Sequence, residues 1–468
     1  MRVGLVGPTY DQRSLPFNAQ RSINLFPVFD QQGGKEVAAL YGTPGLSLFA
    51  DIGAGPIRGE FRSGNGRMFA VSGTGLYEID SSGDGTLLGS LFTSEGRVTM
   101  AEGTTQLAIC DGTKLYSLTY STDTFAQVTD ADLPTSVGYV TNLDGYFIVN
   151  ENASGRFYIS SLNDVTAWVA LDYATAESSP DKLSAPVNAV GQLWLFGERT
   201  TEIWANTGGS DFPFSRIAGA VMQVGVLAKN SILEIDNTVL WLGQDNFGNG
   251  IVYRANGFSP QRISTEPIEK RLQEPEDRAA IYAWAYQEEG HVFYVLSGDS
   301  LETSLVYDLT TGLWHERAFL NEYGNFEQHL GSCHVFSFNK HLVGSRVDGK
   351  IYQMDMDLLD DAGDEIGRER VYTHLVDEMK RNRYNSLEIG LETGVGLQSG
   401  QGSDPTVSLR LSKDGARTWS DAMTTSFGGV GQYRTKVKFR RLGIAEQMTF
   451  KIRITDPVKI AITGSYLF

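Results

Sequence analysis

The chain has 468 residues, beyond the ~250–300 that one hydrophobic core organises, and its 52 glycines against 14 prolines at 41% hydrophobic and 20% charged content describe a folded, turn-rich protein. A net charge of −17 argues against a protein built to grip nucleic acid, because neutralising phosphates takes cations. Two cysteines, Cys110 and Cys333, exclude a disulfide framework and a CxxC zinc pattern, and no run reaches the ~18 apolar residues of a membrane span.

The N-terminus MRVGLVGPTYDQRS lacks a basic segment followed by a long apolar one, so synthesis in a cytoplasm is expected. It also lacks a GxGxxG or GxxxxGK continuation, which removes a nucleotide-binding reading. Residues 1–44 show little periodicity, and NAQRSINLFPVFDQQGGKEVAALYGTPGL reads as an extended N-terminal arm with turns at its Gly and Pro sites.

From residue 45 to 357 one unit recurs: a short apolar strand, a Gly- or Asn-containing turn, and a second strand with an aromatic near its middle. The copies begin with GRMFAVSGTGLYEID and TQLAICDGTKLYSLTY and end with NKHLVGSRVDGKIYQMDMD. Their reference aromatics are Tyr77, Tyr116, Tyr158, Trp204, Tyr253, Tyr307 and Tyr352, spaced by 39, 42, 46, 49, 54 and 45 residues. Those intervals bracket the ~40–50 residues of a four-stranded propeller blade, and each leaves room for an inner strand before the hairpin and an outer strand after it. The fold class is therefore all-β: a β-propeller of about seven blades, with six as the alternative count, and a C-terminal β-sandwich-like domain. Radial repetition leaves only short, protected sheet edges.

The last copy has no outer strand of its own, because after Asp357 the chain enters the acidic stretch LLDDAGDEIGRER. GLSLFADIG (45–53) has the apolar character of an outer strand and is the candidate to close the ring. Residues 358–383 read as a linker, within which RVYTHLVDEMKRNRY is open between a helix and a strand. From 384 to 468 long alternating strands resume, among them SLEIGLETGVG, PTVSLRLSKDGARTW and MTFKIRITD, the pattern of a sandwich domain.

Charge is distributed unevenly. From Arg368 to the end there are 16 Lys and Arg against 10 Asp and Glu, a net of +6, leaving 23 against 46, or −23, in the rest. In the basic part Lys436, Lys438 and Arg440 alternate with Val437 and Phe439, so their charges fall on one strand face, and Arg441 leads toward a turn at Gly443. These four residues are the candidate assembly interface, the alternative being a solvated face. Without aromatics interleaved on that face, single-strand binding is disfavoured.

Other motifs suggest chemistry only in part. Ser412-Lys413-Asp414-Gly415-Ala416-Arg417-Thr418-Trp419 resembles the Asp-box of sialidases, but that motif braces a hairpin and catalyses nothing. His329 and His334 have a zinc-finger-like separation without a Cys pair, and DMDLLDDAGDE misses the calcium-loop register. No catalytic residue, metal site or cofactor is assigned, and the protein is expected not to be an enzyme.

The arm NLFPVFDQQGGKEVAALYGTPGL, the segment GRVTMAEGTTQLAICDG and the tail LEIGLETGVG, LRLSKDGARTW and KFRRLGIAEQMTFKIRITDPVKIAITGSYLF together resemble the packaged-DNA stabilisation, or tail accessory, proteins of short-tailed bacteriophages, collinearly over essentially the whole chain. The resemblance implies a virion protein, a tail hub or nozzle. It would form a homo-hexameric ring below the portal-adaptor ring, extend and close the DNA channel, retain packaged DNA, and carry tail spikes or fibres and a plug or needle. Double-stranded DNA would pass without sequence-specific binding, which suits an acidic wall that repels phosphate. The alternative function is a carbohydrate-binding or glycoside-cleaving propeller. An interaction propeller of WD40 type is disfavoured because the repeated GH and WD dipeptides are missing.

Overall fold

In the computed structural model, which describes residues 2–30, 37–176, 181–245, 247–299, 301–378 and 380–468, the repeating hairpins become blades around one axis. Six blades are contiguous in sequence: 57–90, 99–127, 137–175, 183–222, 233–262 and 282–320, each four antiparallel strands in chain order. The seven reference aromatics all lie on third strands, for example Tyr77 in Gly75–Ile79 and Trp204 in Thr201–Asn206. First strands of successive blades approach one another around the axis.

The seventh blade takes three strands from Gly331–Ser337, Lys340–Ser345 and Lys350–Asp355 and its outermost from Gly45–Asp51. Gly45–Asp51 runs antiparallel to Lys350–Asp355 with Leu48 opposite Tyr352 and Leu46 opposite Met354. Ring closure thus joins residues some 300 positions apart. Gly349 permits the close approach, since a Cβ there would stand 2.0 Å from the Ile52 carbonyl oxygen.

Seven apolar clusters fill the seven gaps between blades. Phe69, Leu107 and Ile109 pack blade 1 on blade 2, and Trp241, Phe196 and Ile203 pack blade 4 on blade 5. Leu342, Ile351, Ile57 and Ala70 pack blade 7 on blade 1. Each fully buried side chain of this size contributes about 1.5–3 kcal/mol, so the packing between blades contributes strongly to the stability of the ring.

The first 44 residues do not form the separate arm expected from the sequence. Leu25–Phe29 and Ala38–Gly42 join Ala461–Leu467, Asn382–Leu391 and Val437–Ala445 in one sheet of the sandwich, with Arg2–Val3 paired to Ala461–Leu467. Val3, Leu5, Leu25 and Leu40 sit in the sandwich core with Phe439, Phe450 and Ile452. The linker also carries strands: Arg368–Val371 and Leu375–Val376 both pair with Gln447–Ile454 in the second sheet, which continues through Thr406–Ser412 to Met423–Ser426. In the segment left open between helix and strand, the described residues include the strand Leu375–Val376 and the start of Asn382–Leu391 and no helix.

Ala19–Ile23 couples the two domains. One edge pairs antiparallel with Arg368–Val371 of the sandwich, and at the other Ile23 pairs in parallel with Glu316 of blade 6. The hydrogen-bonded sheet therefore runs without a break from the propeller into the sandwich.

Candidate assembly surfaces

The junction is held by buried charge. Glu316 is fully buried and receives Arg21 Nη2 at 2.6 Å and Arg271 Nη1 at 2.8 Å, with Thr9 and Thr303 hydroxyls donating at 3.0 and 2.7 Å. Arg271 comes from the helix Glu266–Gln273, which starts with Pro267 in its first turn, and also reaches Asp11 at 2.7 Å. Burial opposes ionisation of Glu316, but the two guanidinium charges override it and hold the carboxyl well below its usual range. Arg370 is a second clamp, donating to the carbonyls of Leu5, Pro8 and Arg21 and to the Gln20 side chain.

Along the propeller axis runs a cavity of about 450 Å³ that reaches all seven blades, lined in part by Glu60, Tyr139, Asn188, Glu234, Trp284 and Cys333. Glu60 lines the cavity, and its carboxyl is buried beside the Cys333 thiol and the Gly344 backbone. Burial raises its pKa to about 8, and the thiol of the neighbouring Cys333 is pushed up to about 12. A raised carboxyl is a general-acid candidate. Glycoside cleavage takes a second carboxylate ~5–10 Å away acting on the same bond, and Glu234 is the other carboxylate among the described residues that line this cavity.

The Asp-box forms a turn on the sandwich. Asp414 accepts from the amides of Arg417 and Thr418 and from the hydroxyls of Ser412 and Thr418, while Trp419 packs near Ala19, Val371 and Ala416. This is the bracing role anticipated for it. His329 and His334 flank the Trp284 ring, and His334 Nε2 lies 3.0 Å from His341 Nδ1. Among the described residues no three His, Cys, Asp or Glu side chains converge as a metal site would require.

The basic residues gather on the strand Val437–Ala445, the terminal strand of its sheet. Lys438 and Arg440 share its outer face while Val437 and Phe439 are buried. The expected turn at Gly443 is absent. The strand continues to Ala445, and a bulge opposite Tyr384 and Ser386 places Arg441 at φ 61°, so that Arg440 and Arg441 are both exposed. Lys438, Arg440 and Arg441, with Arg383 opposite, line an open groove of about 840 Å³ floored by Tyr384, Asn385 and Ser386. Lys436 is exposed but lies before the strand, outside the groove. Lys438 is partly neutralised by Glu388 at 3.6 Å and lies over the Phe468 ring. Arg383 was not anticipated, because its segment had no assigned conformation.

A propeller closed by its own N-terminal sequence and hydrogen-bonded to a β-sandwich places the chain in the two-domain, propeller-plus-sandwich class. Residues 1–359 match the family described as "Bacteriophage P22 Gp10, beta-propeller" and residues 367–467 the one described as "Bacteriophage P22 Gp10, beta-sandwich". The chain belongs to this bacteriophage Gp10 family and is a Gp10-like structural tail protein. The family implies assembly with other virion components and points to a non-enzymatic role. Comparison with curated proteins gives no match. Among solved structures, the extracellular domain of a putative one-component system from B. thetaiotaomicron is 10% identical with a TM-score of 0.45, over 88% of this chain and 48% of that one. The Neurospora crassa Pan2 WD40 domain is 9% identical with a TM-score of 0.43, over 64% and 89%. The chain spans about half the length of the first of these.

Proposed function

We propose that the protein forms a homo-hexameric ring below the portal-adaptor ring of a short-tailed phage, prolonging and closing the DNA channel, retaining packaged DNA, and anchoring spikes or fibres and the plug. The observation that carries this reading is the separation of charge along the chain: a net of −23 over the first 367 residues, which hold the whole propeller and repel phosphate, and a sandwich whose basic groove presents Arg383, Arg440 and Arg441. Lys436, Lys438, Arg440 and Arg441 serve as its assembly interface. Electron microscopy of the protein mixed with its neighbouring tail proteins tests the reading: six-fold rings seated on the adaptor are expected, and particles that never exceed one chain would refute it.

One groove favours a second reading, a carbohydrate-binding propeller. Between the outer parts of blades 3 and 4, Tyr173 and Trp204 stand beside Glu202 and Arg216 around about 650 Å³ of open space, an aromatic wall with polar ends. Leu171, at 82% exposed, rims it. Binding on a glycan array that is lost in Trp204→Ala decides for this reading; no binding removes it.

A further inference from the structure

We infer that the edge strand Val437–Ala445 of one copy receives the acidic loop 355–365 of a second copy, head to tail. This rests on the ring reading above and names the occupant of the basic groove.

The strand has a hydrogen-bonded neighbour on one side only, Asn382–Leu391. Free edges invite strand pairing, and positive charge along one prevents two identical edges from meeting. Lys438, Arg440 and Arg441 therefore bar a two-fold contact of edge against edge and admit an acidic segment instead. Among the described residues Arg383, Arg440 and Arg441 make no ion pair, so three guanidinium groups, each suited to a two-pronged grip on a carboxylate, remain available.

The complementary feature lies on the same chain. Asp355, Asp357, Asp360, Asp364 and Glu365 occur within eleven residues, and no ion pair among the described residues engages any of them. Asp357, Asp364 and Glu365 are exposed. The loop is fixed in place: Gly45 donates to the Leu358 carbonyl at 3.1 Å, Leu46 to that of Asp360 at 2.9 Å, and Ala362 to that of Leu46 at 2.7 Å. Its carboxylates are thus pre-arranged by the strand that closes the propeller, and little ordering remains to oppose binding. Since no ion pair joins loop and groove within one chain, satisfying both takes two copies. Such a heterologous contact repeats from copy to copy and yields a ring when the rotation closes.

Charge exchange tests this. The groove variant is Arg440→Glu with Arg441→Glu; the loop variant is Asp357→Lys with Asp364→Lys. All four side chains are exposed, and an unchanged thermal unfolding transition confirms that each variant folds. Sedimentation velocity at low and high salt should show wild-type self-association that weakens with salt, and at least tenfold weaker association for each variant alone. Mixing the two variants should restore it, because each reversed groove then meets a reversed loop. Wild type that stays monomeric at every salt concentration, a variant that associates normally, or a mixture that stays dissociated overturns the inference. If the groove variant self-associates normally but loses retention of duplex DNA, the occupant is nucleic acid and the inference is equally wrong. Six-fold rings formed by the variants on the adaptor would sink the inference alone, whereas absence of rings from wild type would sink the ring reading.

Discussion

Arg21 and Glu316, 295 positions apart in sequence, meet with Nη2 2.6 Å from Oε2 beside the point where Ile23 pairs with the same glutamate's backbone. One residue of blade 6 thus holds the N-terminal segment through both main chain and side chain, and through that segment the sandwich.

Glu316→Gln should destabilise the protein by about 3–5 kcal/mol, because it removes the carboxylate buried between Arg21 and Arg271 and leaves them only the more exposed Glu302 and Asp11. The contribution should also depend on pH. The folded carboxyl titrates below its unfolded value near 4.5, so its stabilisation is present above that pH and is lost as pH falls beneath it. Denaturant melts of wild type and variant across the acid range should converge at low pH; a constant gap would refute the assignment.

Glu60 should behave with the opposite sign. Its folded pKa is raised to about 8, so the folded state holds the proton more tightly, and the associated stability is complete below about 4.5 and declines as pH rises through 8. Glu60→Gln should be near neutral in acid and more stable than wild type by roughly 2–4 kcal/mol at about pH 9. Parallel pH–stability curves would show that the carboxyl is solvated.

Closure of the ring predicts a steric effect at a residue without a side chain. Gly349→Ala would press a methyl group against the Ile52 carbonyl, costing about 1–3 kcal/mol, and removal of residues 1–53 should abolish the cooperative transition altogether. A truncated protein with an unchanged calorimetric peak would count against the closing strand.

Asp414→Ala should lower the melting temperature while leaving assembly intact, since Asp414 satisfies turn amides and touches no proposed interface. Loss of tail assembly at normal stability would give the Asp-box a role beyond bracing.

The blades were legible because an aromatic on each third strand and a Gly- or Asn-containing turn before it recur every 39–54 residues, and Gly45–Asp51 stood out as an apolar strand beside a blade lacking one. The first 44 residues were not, for physical reasons. Pro27 interrupts NLFPVF and argues against a strand, yet Leu25–Phe29 is the terminal strand of its sheet, where a missing amide is tolerated. Arg368-Glu369-Arg370-Val371 reads as solvated linker, but all four residues are buried, with Glu369 paired to Arg453 and Arg370 donating to backbone carbonyls distant in sequence. The basic cluster was visible as alternation on one strand; the bulge that turns Arg441 outward and brings in Arg383 depends on a cross-strand register that local sequence does not encode.

The pairing of Gly45–Asp51 with Lys350–Asp355 also constrains how the chain reaches its native state. At ~5–20 residues per second, the closing strand leaves the ribosome roughly 15–60 s before its partner exists, and the sandwich strands near the N-terminus wait longer for Ala461–Leu467. The propeller cannot close before Lys350–Asp355 emerges, nor the sandwich form its first sheet before Ala461–Leu467, and pairings of such long range fold slowly. The nascent chain therefore carries unpaired apolar strands through most of its synthesis, so refolding should be slow, strongly dependent on protein concentration and helped by chaperones, with both domains acquiring protection from hydrogen exchange together.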